Sequence, residues 1–140
     1  MRAAAPPPMT ADEFIAWALE RPGSERYELV DGEVIAMSPQ RVGHARGKAA
    51  TWAALSAAIV AAGVPCEALP DGVSVRIDDR TVYEPDALVR CGEPLDDEVV
   101  EVVDPIVVVE VLSPSSRGRD AGVKVADYFR MPSVHHYLLV

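Results

Sequence analysis

Cysteine is scarce in this sequence. The two present, Cys66 and Cys91, form no CxxC or other zinc-type spacing, so a structural zinc module is excluded. They read as two reduced thiols in a cytoplasmic protein. Long apolar runs are also missing. The stretch from Trp52 to Cys66 comes nearest, but it is shorter than a bilayer requires and is broken by Ser56, Gly63 and Pro65, which argues against a membrane protein. The opening residues lack the apolar segment of a signal peptide. Residues 1–9 therefore read as a disordered extension and residues 10–140 as a single domain. No GxSxG nucleophile motif, internal repeat or linker is present.

Acid is absent from one region and crowded into another. The net charge of −9 argues at first against a nucleic-acid partner. However, residues 84–110 hold nine acids against the single base Arg90, which leaves only about −1 for the rest of the chain. Residues 34–66 contain no acid and carry Arg41, Arg46 and Lys48. An acidic loop and a locally basic face can therefore coexist.

Hydrophobic residues make up 49% of the chain, enough for a globular core. Thr10-Ala11-Asp12-Glu13 predicts a capping box and a helix to about residue 20, stopped by Pro22-Gly23. Two short apolar runs joined by Asp31-Gly32 predict a hairpin. A long helix is expected over residues 40–62, with His44, Lys48, Trp52 and Leu55 near one face and Gly63 as its stop. Strands follow near residues 66–69, 72–77, 81–83 and 84–90. The acidic residues 93–104 read as a loop. A helix over residues 117–131, with Ser113, Ser115 and Ser116 as caps, precedes a last strand over residues 135–140.

The most telling stretch is residues 105–112. It is apolar and mostly β-branched, as in a strand buried on both faces, except at Glu110. An unpaired carboxylate there costs several kcal/mol, so Glu110 must meet a cation, a proton or a cleft. A buried salt bridge is one answer. Asp86 supplies another, since two carboxylates from neighbouring strands can hold one cation, and an all-oxygen donor set favours Mg²⁺ or Mn²⁺. Lys124 on the following helix is long enough to reach both acids, or else pairs along its own helix with Asp120 or Tyr128.

Residues 27–34 (YELVDGEV), Glu84-Pro85-Asp86, residues 109–115 (VEVLSPS) and the later Lys124 and Tyr128 together resemble the Uma2 family, formerly DUF820, of the PD-(D/E)xK superfamily. The resemblance implies an α/β, restriction-endonuclease-like core in which helices flank a mixed sheet, preceded here by an N-terminal helix and hairpin. It implies a Mg²⁺- or Mn²⁺-dependent endonuclease acting on nucleic acid, with DNA the expected substrate. Asp86 takes the place of the PD acid and Glu110 that of the (D/E) acid. The superfamily's lysine position is Leu112 here, and Lys124 looks like its migrated substitute. Glu28 either completes the metal shell or pairs with a nearby arginine. His44 either contacts phosphate or shuttles a proton, or is simply a packed histidine. Relatives usually continue with further strands, so this chain reads as a fragment or as a short variant whose open sheet edge favours a homodimer. The competing reading is a catalytically inactive nucleic-acid- or protein-binding module on the same fold.

Overall fold

A computed structural model describes residues 6–113 and 119–140. The N-terminal helix α1 (Ala11–Leu19) begins as its sequence directs. The Thr10 hydroxyl accepts the Glu13 N–H, and the Glu13 carboxylate accepts the Thr10 N–H. Met9, within the expected loose extension, donates its N–H to Gly32 O at 2.8 Å and packs under α1.

The hairpin of β1 (Tyr27–Val30) and β2 (Glu33–Ala36) turns on Asp31 (φ 51°) and Gly32 (φ 85°), the two positive φ values that a type I′ turn demands. Glycine at position 32 also leaves room for the Arg80 guanidinium, which a Cβ would strike. The hairpin is not free-standing. Beyond β3 (Cys66–Pro70), the strands β4 (Val75–Asp78) and β5 (Thr81–Tyr83) pair with one another, and β5 joins β1. The result is an antiparallel sheet in the order β2-β1-β5-β4. Ala11 and Phe14 of α1 bury themselves on its Leu29 and Val82.

The second sheet runs β3-β6-β7-β8, where β6 is Ala87–Cys91, β7 is Val107–Glu110 and β8 is His136–Leu139. Its pairs are antiparallel except β7 with β8, which is parallel, so this is the expected mixed sheet. The crossover to β8 passes through α3 (Arg119–Tyr128). Successive side chains of a strand point to opposite faces. Ala87 and Val109 accordingly pack with Val111 against Leu55 of α2 (Val42–Ala62). Leu88 and Val108 turn the other way, onto Val75, Tyr83 and Tyr128. The expected helix caps Ser115 and Ser116 lie outside the described residues. The acidic residues 93–104 form no regular element beyond one bridge, Ser74 with Glu101.

One expectation is corrected. Cys66 and Cys91 face each other in the β3–β6 register and are joined as a disulfide. Two cysteines 25 residues apart become opposite neighbours only once the strands pair, and that register cannot be read from spacing. The cytoplasmic location inferred from unpaired thiols loses that support. Among the described residues, no helix is long and apolar enough to cross a membrane.

Candidate active site

The β6–β7 register builds the site. Ala87 lies opposite Val109, and the Asp86 N–H donates to Val109 O at 3.0 Å. Asp86 stands at the entry of β6 and Glu110 ends β7, at the same end of the strand pair. Both acids line a cavity of about 730 Å³ with Glu28, His44, Tyr83 and Lys124. All five residues expected from the sequence (Asp86, Glu110, Lys124, Glu28 and His44) thus meet at one cleft.

Their individual contacts differ. Asp86 is buried, and its Oδ2 accepts the Val111 N–H at 2.6 Å. Glu110 accepts the Tyr128 hydroxyl at 3.2 Å and lies 3.6 Å from Lys124 Nζ. Lys124 donates to both Glu28 oxygens, at 3.0 and 3.1 Å, and sits 4.9 Å from the centre of the Tyr83 ring. Glu28 also accepts the Glu84 N–H at 2.8 Å. Its ion partner is therefore Lys124 of α3, where the sequence had suggested an arginine.

The cleft is lined by five carboxylates, Glu28, Asp31, Glu33, Asp86 and Glu110, against the cations Lys124 and Arg41. Burial pushes the Glu110 carboxyl up to about 8, with Asp86 and Glu28 adding to the rise and Lys124 opposing it. Burial works against the charge of Lys124, yet Glu110 and Glu28 outweigh it and hold the ammonium above the usual lysine value. Burial, reinforced by Glu110, keeps the Tyr128 phenol protonated, so it remains a hydrogen-bond donor.

His44 on α2 places Nε2 2.9 Å from Val111 O and 3.5 Å from Asp86 Oδ2. A carbonyl oxygen only accepts, so Nε2 carries the hydrogen in this arrangement. That nitrogen is a donor braced against the strand exit and not a free base. The close approach of α2 depends on Gly47, where a Cβ would lie 3.1 Å from Val111 Cγ1.

Sequence reasoning missed a neighbouring polar cluster. Lys48, read there only as a local base, is buried and donates to Asp71 Oδ2 at 2.5 Å, and Arg26 donates to the same oxygen at 2.6 Å. Arg26 Nη1 also lies 2.8 Å from Glu84 Oε1, an ion contact without hydrogen-bond alignment. Burial lifts Glu84 to about 7 against the pull of Arg26. Burial would raise Asp71 as well, but the bonds from Lys48 and Arg26 prevail and hold it below the usual carboxylate range. No local pattern linked residues 26, 48, 71 and 84; only the twin sheets bring them together.

Among the described residues, no three His, Cys, Asp or Glu side chains form a ready-made metal cage. Mg²⁺ does not require one. It commonly binds through one or two carboxylates, keeps several waters and takes further oxygens from phosphate. The oxygen-only pair of the buried Asp86 and the half-buried Glu110 fits that donor set, and a divalent cation would favour the ionised Glu110 that desolvation first, and then Asp86 and Glu28, disfavour.

Residues 11–140 match the family model Uma2, described as "Putative restriction endonuclease". Over 138 residues, 96% of this chain and 69% of the relative, the sequence is 30% identical to the uncharacterized protein slr1290 of Synechocystis sp. (strain ATCC 27184 / PCC 6803 / Kazusa). The fold is similar to the crystal structure of "a putative nuclease belonging to DUF820" from Anabaena variabilis ATCC 29413. The TM-score is 0.70 at 18% identity, with 95% of this chain and 74% of the other covered.

Proposed function

Because the chain belongs to the Uma2 family, we propose that it is a Mg²⁺- or Mn²⁺-dependent endonuclease hydrolysing phosphodiester bonds in nucleic acid, DNA first among them. The observation that carries this reading is that Asp86 and Glu110 line one cleft with Lys124 3.6 Å from Glu110. Asp86 and Glu110 would hold the cation, which when bound supplies Lewis-acid polarisation of the phosphate and a more acidic water. Lys124 stays protonated and offers its charge to the phosphate oxygens as negative charge develops there. It can do so from α3 because Nζ, and not its position in sequence, is what must reach the cleft.

Glu28 acts as a positioning residue that aims Lys124, its oxygens being held by that ammonium and the Glu84 amide. His44 braces Asp86 and the strand exit and contacts phosphate from the α2 side.

Cleavage of supercoiled plasmid and of single-stranded DNA, with Mg²⁺ or Mn²⁺ and with chelator, tests the reading against Glu110→Ala. We expect metal-dependent nicking that falls about a thousandfold in the variant, as when a preorganised electrostatic contact is lost. Equal activity in both proteins would overturn it. A non-catalytic binding module has one observation in its favour: Leu112 occupies the superfamily's lysine position and lines the cavity. Inert protein that still binds nucleic acid after both acids are changed to alanine would select that reading.

A further inference from the structure

A smaller pocket of about 300 Å³ adjoins the carboxylate cleft, and Asp86 lines both. Its helical wall is one face of α2, where Ala45, Lys48, Ala49 and Trp52 recur at helical spacing. Pro70 and Asp71, at the end of β3, form the facing wall. The space exists because two positions that could carry bulky side chains carry alanine.

Trp52 is oriented as well as exposed. Its indole N–H donates to Ala68 O at 2.9 Å, which pins one edge of the ring, while 38% of the residue remains open to solvent. Arg41 at the N-cap of α2 and Arg46 within it are exposed bases near this pocket, whereas Lys48 inside it is already paired with Asp71. An aromatic platform beside a cationic track is how proteins hold unpaired nucleotides, because every base offers a π-face.

We infer that this pocket is a base subsite that stacks one unpaired nucleobase on Trp52, beside the phosphate handled at Asp86. The volume lies at the lower end of ligand sites, about 300–1,000 Å³, which suits one base and not a base pair. The preferred strand is therefore single-stranded or locally opened. The inference rests on the nuclease reading for where the phosphate lies, and it adds the state of the strand.

Binding without cleavage tests it. A short fluorescently labelled single strand of DNA is titrated with the full chain in the absence of divalent cation, together with a series in which one abasic residue is moved along the strand. Wild-type affinity is expected to fall about tenfold at one abasic position, the scale of a single base–aromatic stack. Trp52→Ala should bind the intact strand about tenfold more weakly and be indifferent to the abasic residue. Ala49→Leu, which fills the pocket and leaves every polar group in place, should do the same, and Trp52→Phe should restore most of the binding. A flat abasic profile in the wild type, wild-type behaviour of both Trp52→Ala and Ala49→Leu, or equal affinity for the matching duplex would overturn the inference. Since no catalysis is involved, an inert wild type with the expected profile would sink the nuclease reading alone. Metal-dependent cleavage with a flat profile would sink the subsite alone.

Discussion

The two ends of β6 both bury charge, with opposite outcomes. At its far end Arg90 is 6% exposed and well provided for: it donates to both Asp104 oxygens, to Glu67 and to Glu93 O, at 2.8–3.3 Å. At its entry, Asp86 lines one cleft with Glu110 and Glu28, and Lys124 is the cation shared between Glu28 and Glu110. The Arg90 end surrounds one cation with acceptors. The Asp86 end gathers Glu110 and Glu28 around Lys124, and there burial lifts Glu110, with Asp86 and Glu28 adding to the rise. Shifts of this kind cluster at functional sites, and structural ion networks produce them too.

Substitutions at the two ends should separate activity from stability. Asp86→Asn keeps an oxygen for the Val111 N–H but removes the charge. Cleavage should drop about a thousandfold, worth about 4 kcal/mol of transition-state stabilisation, with no loss of melting temperature in chelator. Arg90→Met should do the reverse, lowering unfolding free energy by roughly 3 kcal/mol in denaturant titrations while the folded fraction keeps its turnover. That figure stays modest because Asp104 and Glu67 are open enough to rehydrate.

The raised Glu110 also predicts a pH signature. Folded Glu110 holds its proton up to about 8, whereas the unfolded chain releases it in the ordinary carboxylate range. Between those limits the native state binds more protons, so stability falls as pH rises. Melting curves in chelator should show that fall, on the order of 1–2 kcal/mol after screening, and Glu110→Gln should reduce it to the part contributed by Glu84, which burial also lifts, to about 7. Asp71 carries the opposite sign. Its pKa is lowered, so its contribution is present above the ordinary carboxylate value and is lost as pH falls through the depressed one. Asp71→Asn should cost on the order of 1 kcal/mol at neutral pH, a difference that shrinks in acid.

How much of this was legible in the sequence depended on the range of each interaction. The capping box, the Asp31-Gly32 turn and α2 were readable because their causes lie within a few residues. Glu110 was readable as an outlier, an acid in an otherwise apolar strand, and Asp86 as its candidate partner on a neighbouring strand. Their pairing in one cleft followed the resemblance of motifs. Lys124 was found by its reach, but its hold on Glu28, 96 residues away, was not. The disulfide, the Lys48–Asp71–Arg26 cluster and the joining of the hairpin to β5 depend on register between distant strands. Residues such as Lys48 carry no mark in sequence that separates a buried ion partner from a solvated one.

Gly47 gives the cleft a dimensional tolerance. A helix seated against Val111 across the breadth of a hydrogen atom fixes how far His44 stands from the strand exit, and through it the width of the cleft. One added methyl at residue 47 would need a few tenths of an ångström from its neighbour. The bore of the site is thus gauged by a residue that touches none of its chemistry.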